Sequence, residues 1–200
     1  MTREQWLLAL TELARPWFLD AAGLVIPKGV RASCGFPTIG ARSAKVLGQC
    51  FYQTADKVPQ FYIHPSISDS MRVADIAIHE LIHTAMPVGV KHGPRFAKAA
   101  TMLLLEGKPT ATEGGEEFKR HVRPWLKQLG KYPHSAIDMT AEKEKQTTRM
   151  IKAECPECGF TFRTTRKWIY EAGTLRCPNM EAHGETTWLM DLPDVEIIEQ

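Results

Sequence analysis

A chain of 200 residues with 44% hydrophobic and 24% charged residues has the length and composition of one compact domain plus a small satellite. Its formal net charge of +2 excludes a global electrostatic pull toward nucleic acid or membranes, so binding of that kind has to come from a local patch. The longest apolar runs fall far short of the roughly 20 residues of a membrane span, and Arg3, Glu4, Glu12 and Arg15 interrupt the start where a secretory signal needs an apolar stretch.

Taken in chain order, Trp6, Leu7, Leu10, Leu13, Ala14 and Trp17 recur at helical spacing and predict an amphipathic N-terminal helix that Pro16 kinks or ends. From Gly23 to Ser43, recurring glycine and proline predict turns and irregular structure. Two strand-like runs follow, 44–52 and 58–64, joined by a hairpin connection at Thr54 to Lys57. Ser66, Ser68 and Ser70 offer N-caps to a buried central helix from Met71 to Met86, with Asp69 near its positive end and Pro87 and Gly89 as its stop. A second helix is expected from Pro94 to about Gly107, and a third from Glu117 to Leu129, broken by Pro124. Residues 139–150 are polar without an interior apolar anchor and read as a linker, and 151–192 reads as a small cysteine-bearing module.

The chemistry concentrates in the central helix. Between Ile76 and Ala85 the strongly polar residues are His79, Glu80, His83 and Thr84. His79 and His83 lie one turn apart on one helix face, a spacing that lets two imidazoles converge on one tetrahedral ion. Glu80 sits about 100° further round the helix, from where a carboxylate reaches a water on the metal and serves as general base. Catalytic zinc takes three protein ligands, and His92 is the expected third, swung back by the Pro87–Gly89 turn; Glu106 on the following helix is the competing third ligand. Against these stands a bland alternative, two satisfied core histidines, which the cost of burying two imidazoles and a carboxylate without a shared partner disfavours. Asp75 lies one turn before His79 and reads either as an orienting partner of a ligand histidine or as a solvated acid.

His79-Glu80-Leu81-Ile82-His83 followed by His92-Gly93-Pro94-Arg95-Phe96 resembles the SprT-like (Spartan-like) metallopeptidases. The similarity extends upstream to Gly48-Gln49-Cys50 and the strand from Phe61 to Pro65, and downstream to the cysteine module. The resemblance implies an α+β fold: a small zincin-type domain over residues 1–138, with helices packed on a short antiparallel sheet, followed by a zinc ribbon. It further implies zinc on His79, His83 and His92, with Glu80 as the base for attack on a peptide carbonyl. In such a fold an exposed strand receives the substrate as an extra strand, and 58–64 is the expected one.

In the C-terminal module, Cys155-Pro156-Glu157-Cys158 and Cys177 form most of a zinc ribbon. Met180 stands where a second Cys-x-x-Cys would place its last cysteine, so His183 becomes the expected fourth ligand, with Glu181 as a weaker substitute. A redox Cys-x-x-Cys is the alternative, but it leaves Cys177 unexplained. The odd cysteine count and Cys34 and Cys50, which lack partner spacing, fit a reducing compartment, so the expected localisation is cytoplasmic. For DNA, Lys119, Arg120, Arg123, Lys127 and Lys131 surround Trp125, and Arg163, Arg166 and Lys167 adjoin Phe162, Trp168 and Tyr170. Such interleaving grips a backbone and stacks bases, or it is simply a solvated helix face and a small ribbon core. The functional expectation is a metallopeptidase with one catalytic and one structural zinc, acting on a protein or peptide substrate, including DNA-associated proteins. The alternative is a zinc-stabilised DNA- or protein-binding adaptor with little proteolysis.

Overall fold

In a computed structural model of the chain, residues 1–38, 45–52, 54–139, 150–172 and 176–183 are described. The chain divides into two compact units, Met1–Glu142 and Lys143–Gln200. Residues 140–149 of the expected linker and 184–192 of the expected ribbon lie outside the described residues.

The first unit opens with helix α1, Arg3–Ala22. Thr2 and Gln5 cap it reciprocally, and Gly23 ends it in a left-handed conformation (φ 63°) that lets its N–H donate to the Leu19 carbonyl. Pro16 neither ends nor divides the helix: it lies on the exposed side, where water can satisfy the Glu12 carbonyl that loses its donor. Trp6, Leu7, Leu10, Ala14 and Phe18 are fully buried, whereas Leu13 and Trp17 flank that stripe half-buried.

Three short strands, β1 (Arg31–Cys34), β2 (Gly48–Phe51) and β3 (Gln60–Ile63), make one sheet in the order β1-β3-β2. β2 and β3 pair antiparallel, but β1 runs parallel to β3, so the sheet is mixed rather than antiparallel as expected. Strand β1 falls in the stretch predicted to be irregular, because Arg-Ala-Ser-Cys carries no alternation and little β-propensity. Since β3 is paired on both sides, it is not the edge expected to accept a further strand; among the described residues β2 and β1 are the edges.

Helix α2, Ser70–Ala85, crosses this sheet. Asp69 caps it, accepting from the Arg72 N–H at 2.8 Å. Val73, Ala74, Ile76, Ala77, Ile78, Leu81 and Ile82 bury most of its circumference against α1, Phe61 and Ile63 of the sheet, and the helices that follow.

Helix α3, Pro94–Met102, is shorter than predicted. Leu104 takes a left-handed turn (φ 59°), which lets Leu103 and Leu105 both be buried, and the chain becomes a hairpin of β4 (Leu105–Lys108) and β5 (Ala111–Gly114). Helix α4, Glu116–Leu129, is unbroken, with Pro124 on its exposed side. The Trp6 indole donates to the Gly130 carbonyl at 3.0 Å, fastening α1 to the end of α4.

The second unit holds an antiparallel hairpin, β6 (Ile151–Glu154) and β7 (Thr161–Thr164), then the short helices α5 (Arg166–Ala172) and α6 (Met180–His183). Among the described residues no helix is long and apolar enough to cross a membrane.

Candidate metal centres and active site

Because α2 is apolar nearly all round, its polar side chains are placed by packing rather than by solvent. His79 and His83 project from one face, one turn apart. The turn at Pro87–Val90 (Val90 N–H to Pro87 O, 3.2 Å), with Gly89 at φ 92°, returns the chain so that His92 meets them. Nε2 of His92 lies 3.2 Å from Nε2 of His79 and 3.0 Å from Nε2 of His83. Three nitrogens bound to one tetrahedral zinc at its usual bond length would stand about 3.3–3.4 Å apart. Close lone-pair nitrogens repel unless a proton or cation sits between them, so the arrangement suits a shared ion. Phe96, fully buried in the first turn of α3, packs its ring against all three imidazoles at centroid distances of 4.8, 4.4 and 4.9 Å.

Burial pushes the pKa of His79 down to about 3, helped by His83, His92 and Arg72. Burial, then His92, lowers that of His83 to about 4, and burial lowers that of His92. All three are therefore neutral at ordinary pH, the state in which an imidazole ligates. His79 Nδ1 lies 2.7 Å from Thr112 Oγ1 on β5, which fixes the ring with Nε2 inward. His83 Nδ1 is buried with no hydrogen-bond partner among the described residues.

Glu80 is buried beside this cluster, and burial alone raises its pKa to about 8. It stacks against Gly48 of β2, where a Cβ would lie 2.5 Å from Glu80 Oε1. A cleft of about 850 Å³ opens over the site. β2 and Tyr52 wall it on one side, the Thr110–Thr112 strand on another, and Gly89–His92 on a third.

The histidines and Glu80 thus stand where the sequence reading expects them, but three other residues do not follow it. Glu106 is on β4 rather than on a helix, and its carboxylate points at Gly115, outside the cleft lining. Asp75 neither solvates nor orients a histidine. It accepts both oxygens' hydrogen bonds from Arg72 at 3.1 Å and another from the Gly114 N–H at 3.3 Å. Thr112, the actual partner of His79, was not signalled at all, because nothing in the sequence marks the β4–β5 hairpin.

In the second unit, Cys155, Cys158, Cys177 and His183 gather with all ligand atoms within 4.8 Å of one another. Cys155 Sγ lies 3.6 Å from His183 Nε2, and Cys158 Sγ 3.6 Å from Cys177 Sγ. These match the roughly 3.5–3.8 Å separations of sulfur and nitrogen around a tetrahedral zinc. Gly159, left-handed at φ 70°, closes the Cys155–Cys158 knuckle by donating to the Cys155 carbonyl. Glu181 is exposed on α6, and Glu157 instead lies 3.5 Å from His183 Nδ1. Both groups are compatible with zinc.

The basic segment lies on α4, where Lys119 pairs with Glu116 and Arg120 with Glu117, and Trp125 packs edge-on to Trp17. In the second unit Phe162 packs against the small core, while Trp168 is 56% exposed with Lys167 Nζ 5.5 Å from its ring centroid. Arg163 and Arg166 are exposed.

Comparison with family models, with curated proteins and with solved structures found no match to this chain.

Proposed function

We propose that the chain is a zinc-dependent metallopeptidase of the SprT-like kind, hydrolysing peptide bonds at the cleft above α2, with a structural zinc in the second unit. The observation that carries this reading is the convergence of three imidazoles, with His92 Nε2 3.2 Å from that of His79 and 3.0 Å from that of His83, next to a buried carboxylate in one open cleft. His79, His83 and His92 would hold the catalytic ion, and Cys155, Cys158, Cys177 and His183 the structural one. When bound, the catalytic ion supplies Lewis acidity for polarising a carbonyl and activating water.

The remaining work falls to this chain's own groups. Glu80 accepts the proton of the attacking water and returns it to the leaving nitrogen. Its burial-raised pKa makes it a stronger base, and a cation held by the three histidines would favour its ionised form. The substrate backbone can pair with β2, the sheet edge that lines the cleft. An adaptor without proteolysis has less support, since a structural site has no use for a carboxylate buried beside its ligands. Trp168, exposed beside Lys167, supports extending the proposal to DNA-associated substrates.

Metal analysis and a single variant test the reading together. The full chain should bind two zinc ions, and Glu80→Gln should keep both while losing at least about 10³-fold in the rate of casein cleavage. Undiminished cleavage by that variant, or a metal content unaffected by His79→Ala, sinks it.

A further inference from the structure

One polar group in the wall of the cleft stands against a ligand histidine and has no role in the reading above. Alternation along β2 turns Gly48, Cys50 and the next residue of that parity, Tyr52, toward α2. The Tyr52 ring stands edge-on to His83, with centroids 6.4 Å apart and planes at 86°. Its phenol is half-buried, lines the same cleft as Glu80 and the three histidines, and has no hydrogen-bond partner among the described residues.

A hydroxyl left unpaired by the protein at the wall of an open cleft is free to donate to a group bound there. Besides Glu80 and the three histidines, the cleft is lined by Lys45, Gln49, Arg72, Lys91, Thr110 and Thr112; Arg72 is taken up by Asp75 and Glu113, Gln49 by Thr38, and Thr112 by His79. An oxygen that gains charge beside the three histidines needs a donor close to them, and Tyr52 stands there, against His83. We propose that Tyr52 is a catalytic residue whose hydroxyl donates a hydrogen bond to the oxyanion formed from the scissile carbonyl; this rests on the peptidase reading.

In the addition step the water oxygen bonds to the carbonyl carbon, the C=O π pair moves onto oxygen, and one water proton goes to Glu80. Tyr52 keeps its own proton throughout and only donates the hydrogen bond. On collapse the oxyanion pair re-forms C=O, the C–N bond breaks, and the proton on Glu80 passes to the amine nitrogen. The acid proton of the new carboxyl group follows it, leaving a carboxylate and an ammonium. A phenol ordinarily titrates at about pH 10, so Tyr52 keeps its proton and remains a donor at neutral pH.

The experiment compares wild type and Tyr52→Phe as zinc-loaded full-length proteins. Zinc content, thermal midpoint, kcat and KM on casein, and affinity for a phosphinic peptide, whose tetrahedral anion mimics the adduct, are measured on both. Zinc content and midpoint should be unchanged, KM should move less than about threefold, and kcat should fall about 10²-fold, the usual effect of losing one oxyanion donor. Affinity for the phosphinic peptide should fall by a similar factor. If wild type cleaves casein and Tyr52→Phe matches it in kcat and phosphinic affinity, the role of Tyr52 is overturned while the peptidase reading stands. Loss of zinc in Tyr52→Phe would make Tyr52 a support of the metal site and equally overturn the proposal. If zinc-loaded wild type neither cleaves casein nor binds the phosphinic peptide, the peptidase reading falls and the role of Tyr52 with it.

Discussion

A methyl group at Gly48 would lie 2.5 Å from Glu80 Oε1 and 2.6 Å from Ile76 Cγ2, both inside contact distance. Ile76 is packed in the core and cannot yield, so the strain would fall on the carboxyl. Glycine at this position is therefore a matter of space: a strand backbone has to approach α2 closely enough for the cleft edge and the base to share one site. Gly48→Ala is expected to lower stability by about 1–3 kcal/mol through overpacking. It should also cut casein cleavage on the order of 10²-fold, because a displacement of about 1 Å at a catalytic group has that effect. Zinc content should stay at the wild-type value, since the atoms nearest the added methyl belong to Glu80 and Ile76 and not to a histidine. Parallel measurement of metal, midpoint and rate checks this, and a fully active Gly48→Ala protein would show that Glu80 need not stand where it does. His79, Glu80 and His83 are legible in the sequence because burying two imidazoles and a carboxylate in an apolar helix is costly unless they share a partner. Thr112 and Tyr52 are not legible, because a threonine in a hairpin and a tyrosine at a strand end are common and acquire meaning only from what they face.

At the scale of elements the same contrast recurs. The body of α2 was readable, since its interior is apolar without a breaker, but its cap is Asp69 and not one of the offered serines: Ser70 is already the first helical residue, and the Asp69 carboxylate accepts from the Arg72 N–H. The β4–β5 hairpin was hidden because Leu103, Leu104, Leu105 and Glu106 are good helix formers, and only the demand to bury both Leu103 and Leu105 turns the chain at Leu104. What fastens the hairpin to α2 is a row of consecutive ties: Thr112 to His79, Glu113 to Arg72 at 3.5 Å, and the Gly114 N–H to Asp75. Asp75 is the buried member of this row, and burial raises its pKa to about 6 in spite of Arg72. A carboxyl whose pKa is higher in the folded than in the unfolded chain binds more protons when folded, so its contribution favours folding at low pH and fades as pH rises from about 4 to 6. The fading amounts to at most about 3 kcal/mol, from a shift of about two pKa units. The buried histidines act in the opposite sense over an overlapping range, since they are neutral when folded and bind protons when unfolded. Asp75→Asn removes only the carboxyl term and keeps an acceptor for the Gly114 N–H. The stability of Asp75→Asn relative to wild type should therefore increase between pH 4 and pH 6. Urea unfolding at several pH values checks this; a difference that stays flat would mean that Arg72 holds Asp75 ionised.

At the scale of the whole molecule, the two units differ in what holds them. The first has a continuous apolar core, from Trp6 and Phe18 through Phe61 and Ile82 to Phe118 and Tyr132. In the second, the buried cluster among the described residues is Ala153, Cys155 and Cys177 with Phe162 against it, and two of its three buried members are metal-ligand candidates. So small a cluster cannot by itself offset the chain entropy of ordering the described residues around it, whereas a structural zinc contributes on the order of 10 kcal/mol. The ribbon cysteines were legible by spacing, but His183 reaches them only because α6 places it, and position 180 gave no hint beyond the missing cysteine. The first core should accordingly stand without the ribbon metal. Cys177→Ser is expected to remove one zinc per chain and to abolish amide-exchange protection over β6 and β7. The midpoint of the first unit should move by less than about 2 °C, since no residue of its core is altered, and the zinc held by His79, His83 and His92 should remain. Hydrogen exchange with metal analysis on the full chain distinguishes the cases: protection kept over β6 and β7 after the metal is lost would show that packing, and not the ion, holds the second unit together.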